Sequence, residues 1–204
     1  MTRLAVAVAT GLVGTKMLET LDRKQIPFDE LVLFSSARSA GKKVEFQGQL
    51  YTVQELTDEA ASEHFDYILM SAGGSTSEHF APLFEAAGAI VIDNSSQWRM
   101  AEDVDLIVSE VNEPQFTRGI IANPNCSTIQ SVVPLKILQD AYGLKRVAYT
   151  TYQAVSGSGV KGKRDLAEGA NGKEPEAYPY PIYNNVLPHI CLLYTSPSPR
   201  DLST

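Results

Sequence analysis

Short, uncharged apolar runs recur from the N-terminus to Ala122, and stretches with helical periodicity separate them. Leu4–Val8, Leu31–Phe34, Tyr67–Met70, Ala89–Ile92 and Gly119–Ala122 are too short for helices, and they lack the in–out alternation of a sheet with one wet face. Runs of this kind suit the strands of a parallel sheet covered on both sides. Between them, Val13, Met17, Leu18 and Leu21, and later Phe80, Leu83, Phe84 and Ala87, fall at helical spacing. The alternation predicts an α/β fold with a doubly wound, mostly parallel sheet.

Local signals refine that outline. Ser75 followed by Glu78 is a capping-box pattern and predicts a helix start there. Leu106–Val108 reads as a further strand, and residues 44–53 as a small antiparallel excursion. Arg146–Ala154 is rich in β-branched and aromatic residues and predicts a strand. Pro134 interrupts a helical pattern through Ile129, Val132, Val133 and Ile137, where it should kink or shorten the helix. Ser156–Gly159 reads as a flexible turn, and beyond Gly169 prolines dominate a loop-like stretch. Residues 191–204, with Ser-Pro-Ser-Pro, have the composition of a disordered segment.

The 204 residues allow one domain, or one and part of another. A net charge of -7 argues against a nucleic-acid or anionic-membrane surface, and no apolar run approaches membrane-spanning length. Cys126 and Cys191 make neither a metal-ligand spacing nor a disulfide framework, so no metal is expected and a reducing cytoplasm is the default.

Two constellations carry chemistry. After the first strand comes Ala9-Thr10-Gly11-Leu12-Val13-Gly14, an incomplete dinucleotide turn whose opening glycine position is taken by Val8. After the second strand stand Ser35, Ser36, Arg38 and Ser39, with no acid to bind ribose hydroxyls. Hydroxyls beside a guanidinium suit a 2′-phosphate, hence NADP rather than NAD, although an ordinary polar loop remains an alternative. The second constellation is Asn123-Pro124-Asn125-Cys126, a turn between a buried strand and a helix. At a helix N-terminus, unpaired amides and the positive dipole end favour a thiolate and can hold an oxyanion. The competing reading is a small buried core thiol. Arg99, beyond the carboxyl end of the Ala89–Ile92 strand, could clamp a phosphate, or simply be a solvated surface residue. Gln153 could bond a carbonyl or an amine. His64, His79 and His189 have no interpretable spacing to Cys126.

Together these residues resemble the aspartate-semialdehyde dehydrogenase family. The resemblance rests on Ala9–Gly14, Ser36–Gly41, Ser75–Ser77, Asp93–Ser96, Pro124–Gln130 and Thr151–Gly157, and it spans about residues 2–190. It implies a Rossmann-type NADP-binding domain over 1–123, the truncated start of an α+β catalytic/dimerisation domain over 124–190, and a non-family tail over 191–204. It implies NADPH-dependent reduction of L-aspartyl 4-phosphate to L-aspartate 4-semialdehyde with release of phosphate, a step toward lysine, methionine and threonine. Cys126 would be the nucleophile and form an acyl-thioester. Asn125 would steady the oxyanion, Arg99 would hold the substrate phosphate, and Gln153 would orient the substrate. Thr10, Gly11, Leu12, Val13, Ser36, Arg38 and Ser39 would bind NADP, with Thr76, Ser156 and Gly157 nearby. The full-length family implies a homodimer or homotetramer.

Two departures stand out. Val8 replaces the glycine that opens the family's turn, and its branched side chain should crowd the cofactor's backbone approach. The family's general-base histidine and the arginine for the substrate carboxylate belong to a later part of its members, which implies feeble activity for the chain as written. N-acetylglutamyl-phosphate reductase-type chemistry and a non-catalytic nucleotide-binding module are the competing functions.

Overall fold

The structure, a computed structural model, describes residues 1–187. Two compact units divide the chain, Met1–Ala148 and Tyr149–Thr204. Expectations for His189, Cys191 and residues 191–204 lie outside the described residues.

The first unit is built on a sheet of β1 (Arg3–Ala7), β2 (Glu30–Ser35), β5 (Gln54–Glu55), β6 (Tyr67–Met70), β7 (Ile90–Asp93), β8 (Asp105–Leu106) and β9 (Ile120–Ala122). Its strand order is β5-β2-β1-β6-β7-β9-β8, and every pairing is parallel. From β1 the chain adds β2 and β5 on one side and then crosses to β6 and β7 on the other, with β9 beside β7 and β8 at the outer edge, so β1 and β6 flank a topological switch point, and the crevice at their carboxyl ends is where such sheets bind ligands. A separate antiparallel ribbon, β3 (Lys43–Phe46) with β4 (Gln49–Thr52), meets the expectation for residues 44–53. Gln47 and Gly48, both at positive φ, make its two-residue turn.

Alternate residues of each strand feed opposite faces. Leu4 and Val6 of β1 and Leu31 and Leu33 of β2 pack against Leu18 and Leu21 of α1 (Leu12–Lys24) and against Phe46 of the ribbon. Ala5, Ala7, Val32 and Phe34 face the other way, onto Phe65, Ile68 and Phe84. There the rings of Phe34 and Phe65 and of Phe65 and Phe84 meet edge to face, with centroids 5.8 and 6.0 Å apart. Phe84 belongs to α3 (Gly74–Ala86), which crosses that face with the short α2 (Asp58–Ala61). Burying each phenylalanine is worth about 1.5–3 kcal/mol, so these rings dominate the cohesion of this layer.

Several expectations are corrected. The helix α3 begins at Gly74 behind Gly73 (φ 79°), so Ser75 lies inside the helix and no side chain caps it; a glycine at positive φ turns the chain directly without a capping oxygen. The strand expected at Leu106–Val108 is instead the two-residue β8, Asp105–Leu106, which overlaps it at Leu106 alone. The next helix, α4 (Cys126–Tyr142), continues past Pro134, so the proline does not shorten it. Pro134 is exposed, so water can take the Gln130 carbonyl that the missing N–H would have bonded. Arg146–Ala154 forms no strand: Arg146 to Tyr152 are exposed, and among the described residues no strand pairs with them. High β-propensity does not make a strand without a ladder partner.

In the second unit, Val155–Ser158 is a 3-10 helix rather than a flexible turn, and it leads into α5 (Gly159–Gly169), which the sequence did not predict. Asp165 of α5 is 6% exposed and accepts the backbone amides of Glu176 and Ala177 at 2.7–3.0 Å. Desolvation pushes its pKa up, but those amides, that of Tyr178 and the charge of Arg164 outweigh it and hold the carboxyl below the usual aspartate value.

Candidate active site

The turns that follow β1, β2, β6, β7 and β9 all emerge at the carboxyl edge of the parallel sheet, and they carry most of the sequence-predicted site. After β1, Val8 turns into the left-handed region at φ 61°. The Gly11 amide donates to the Val8 carbonyl at 3.0 Å, and Gly11 is the N-cap of α1. A Cβ on Gly14 would lie 2.3 Å from the Val8 oxygen and 2.8 Å from the Ala9 Cα, so only glycine lets helix and turn approach this closely. Left-handed backbone in a β-branched residue costs on the order of 1–3 kcal/mol. The Val8 Cγ1 would sit 3.3 Å from a Cβ on Gly11, which places the isopropyl group over the N-cap glycine.

The other cofactor candidates flank this turn. Thr10 and Ser35 share a 2.9 Å hydroxyl hydrogen bond that ties the turn to the end of β2. Leu12 and Val13 are exposed at the start of α1, although the helical pattern placed Val13 on the buried face. Ser36 caps a short 3-10 turn, Ala37–Ser39, in which Arg38 is exposed. Ser39 is buried and accepts a 3.3 Å hydrogen bond from Lys42 Nζ. Lys42 is a cation that sequence reasoning missed, because nothing in the local pattern brings it back to Ser39. Thr76 is half-buried in the first turn of α3. Bare glycines, the first amides of α1, and hydroxyls with cations in place of an acid fit a phosphate-bearing dinucleotide. Val8 is the member that narrows the seat.

At the far side of the crevice stands the cysteine. Asn125 is the N-cap of α4: its Oδ1 accepts the Ser127 amide at 2.9 Å and lies 3.9 Å from Cys126 Sγ. Cys126 is the first residue of α4 and is exposed, so the core-thiol reading falls. The Gln130 side-chain amide donates to the Cys126 carbonyl at 3.0 Å. Arg99 comes to the same corner. Its Nε donates to the Asn123 carbonyl at 2.8 Å and its Nη2 to the Asn94 carbonyl at 3.0 Å. The guanidinium thus staples the loop after β7 to the turn before Cys126, with its Nη1 outside both bonds.

The loop that carries Arg99 is itself locked. Ser95 donates to the buried Asp93 carboxylate at 2.5 Å, and Trp98 Nε1 donates to the buried Ser77 hydroxyl at 2.8 Å. No spacing rule could have found this scaffold from the letters.

Gln153, Ser156 and Gly157 belong to the second unit. Gln153 is half-buried in an irregular stretch, while Ser156 and Gly157 lie in the 3-10 helix. His64 bonds the Ala87 carbonyl, and His79 lies 2.7 Å from Asp58. Among the described residues no helix is long and apolar enough to cross a membrane.

Comparison with known proteins adds to this geometry. The family model for the semialdehyde dehydrogenase NAD binding domain matches residues 3–118, and that for the semialdehyde dehydrogenase dimerisation domain matches 135–193. The aspartate-semialdehyde dehydrogenase of Aquifex aeolicus is 48% identical over 203 residues, which cover 94% of this chain and 60% of that protein. The crystal structure of aspartate semialdehyde dehydrogenase II from Vibrio cholerae, complexed with ASA, superposes with a TM-score of 0.80 at 41% identity, covering 93% of this chain and 60% of that one. The Candida albicans enzyme with NADP superposes at 0.58 and 26% identity, over 71% of this chain and 48% of that one. The chain spans about three fifths of the length of the Aquifex relative.

Proposed function

Because the chain belongs to the semialdehyde dehydrogenase family, we propose that it takes part in the NADPH-dependent reductive dephosphorylation of L-aspartyl 4-phosphate to L-aspartate 4-semialdehyde. The observation that carries this reading is an exposed thiol at the first residue of a helix, with an arginine bonded to the Asn123 carbonyl of the turn that leads into it. In this account the Cys126 sulfur forms a bond to the acyl carbon as the carbon–oxygen bond to phosphate breaks, leaving inorganic phosphate and a thioester. The first-turn amides of α4, with Asn125, face the carbonyl oxygen as it gains charge. Arg99 meets the phosphate on its Nη1 side and holds the cysteine turn in register through Asn123. When bound, NADPH supplies the hydride that the thioester carbon accepts; the carbon–sulfur bond then breaks, releasing the aldehyde and restoring the thiolate.

NADP in preference to NAD is supported by Arg38 and Lys42 beside the hydroxyls of Ser36 and Ser39, where an acid would favour an unphosphorylated ribose. The role of Gln153 in orienting the substrate rests on the family resemblance alone. Assembly as a homodimer or homotetramer is supported by α4, which buries none of its residues and whose carboxyl half falls in the dimerisation match.

The test is phosphate-dependent reduction of NADP by the purified protein with L-aspartate 4-semialdehyde, run beside the N-acetylglutamate analogue. Turnover with the aspartate compound that disappears in Cys126→Ser supports the reading. Preference for the N-acetylglutamate compound, or activity surviving in the variant, contradicts it.

A further inference from the structure

The residue least at ease in the first unit is Val8. Its φ of 61° is one that glycine adopts freely and a β-branched side chain rarely does. The surrounding backbone enforces it. Gly11 donates to the Val8 carbonyl at 3.0 Å, and the same oxygen lies where a Cβ on Gly14 would come within 2.3 Å. Val8 therefore cannot relax toward extended geometry without pulling its carbonyl out of the contact between turn and helix. The amides of the turn keep the arrangement a glycine would give them, and what valine adds is volume. That volume lies on one side: Cγ1 stands 3.3 Å from the Cβ position of Gly11, the residue that caps α1. The first amides of that helix are where the pyrophosphate of a dinucleotide would be seated, and the loop of Ser36, Arg38 and Ser39 that would read the 2′-phosphate lies after a different strand.

We infer that Val8 lowers affinity for the dinucleotide pyrophosphate without altering the choice between NADP and NAD. The inference rests on the dinucleotide reading given above and separates two effects at one position. Backbone strain destabilises the unliganded protein, whereas side-chain volume obstructs the ligand. Asparagine tolerates left-handed backbone yet nearly keeps the volume of valine, so Val8→Asn relieves the first alone. Glycine relieves both, and Val8→Ala is the intermediate that guards against a poorly folding glycine variant.

Binding of NADP and of NAD to the 204-residue chain and to the three variants, by titration calorimetry, tests this together with thermal denaturation of the unliganded proteins. Val8→Gly should tighten both dinucleotides by about tenfold, which is about 1.4 kcal/mol, with their ratio unchanged. Val8→Asn should raise the melting temperature with little change in either dissociation constant. Equal constants for the wild type and Val8→Gly overturn the inference. So does tightening confined to NADP, which would move the effect to the 2′-phosphate, and so does Val8→Asn binding as tightly as Val8→Gly, which would make strain the obstacle. If all four proteins unfold cooperatively and none binds either dinucleotide, the cofactor reading itself falls, and the inference with it.

Discussion

Cys126 and Arg99 are joined by backbone, not by a direct side-chain bond: the guanidinium holds the Asn123 carbonyl, and three residues later the chain enters α4 at the sulfur. Replacing Arg99 with lysine removes the planar fork that reaches two carbonyls at once. Arg99→Lys should therefore raise KM for phosphate in the NADP-reducing direction and also slow alkylation of Cys126, because the cysteine turn loses its staple. Iodoacetamide labelling near neutral pH, followed by peptide mapping to keep Cys126 apart from Cys191, reads the second effect; labelling as fast as wild type would mean that Arg99 touches phosphate only. The sequence announced both residues through the turn and the strand ends they follow. It did not announce that Arg99 spends two of its nitrogens on main-chain carbonyls, because that depends on the lateral neighbours β7 and β9, which lie far apart in the chain.

Among elements, the junction of α3 and β9 is tied by a cluster of charges. Arg118 grips Glu85 through Nη2 at 2.6 Å and Nε at 3.2 Å and reaches Asp103 at 3.1 Å, and the Gly119 amide adds a 2.8 Å bond to Glu85. The hydrogen bond from Arg118, opposed by desolvation and aided by Gly119, holds the Glu85 carboxyl below its usual value. A depressed carboxylate contributes stability that is complete above its unfolded pKa and lost as pH falls through the folded one. Glu85→Gln should thus cost about 1–2 kcal/mol at pH 7, and the gap in melting temperature from wild type should narrow as pH falls below the ordinary glutamate pKa and through the lower folded one. A constant gap across that range would exclude the ion pair as its source. Elements were most legible where burial decides: β1, β2, β6, β7 and β9 all appear at the apolar runs. They were least legible where a partner decides. Arg146–Ala154 has strand composition but pairs with no strand among the described residues, and the Ser75 box lost to a glycine at positive φ.

For the molecule as a whole, the order of strands outward from β1 makes the site possible, since it gathers turns from five separate strands along one edge. Gly14 is where that architecture is tightest. Gly14→Ala would drive a methyl into the Val8 carbonyl and should cost more than about 2 kcal/mol, read as a lowered denaturant midpoint with an unchanged slope. A neutral result would mean that α1 stands off the sheet. The doubly wound class and the two motif-bearing turns could be read from periodicity, because hydrophobic burial on both faces leaves a pattern in the letters. The scaffold of Ser95, Trp98 and Ser77 could not, because its hydrogen bonds join loops that no period relates. The account turns on the Cys126 sulfur as nucleophile, and the most direct measurement is the mass of the protein after incubation with L-aspartyl 4-phosphate in the absence of NADPH. One aspartyl group on the Cys126 peptide, absent from Cys126→Ser and matched by one equivalent of released phosphate, is the predicted result; an unmodified Cys126, or the same adduct in the variant, would contradict it.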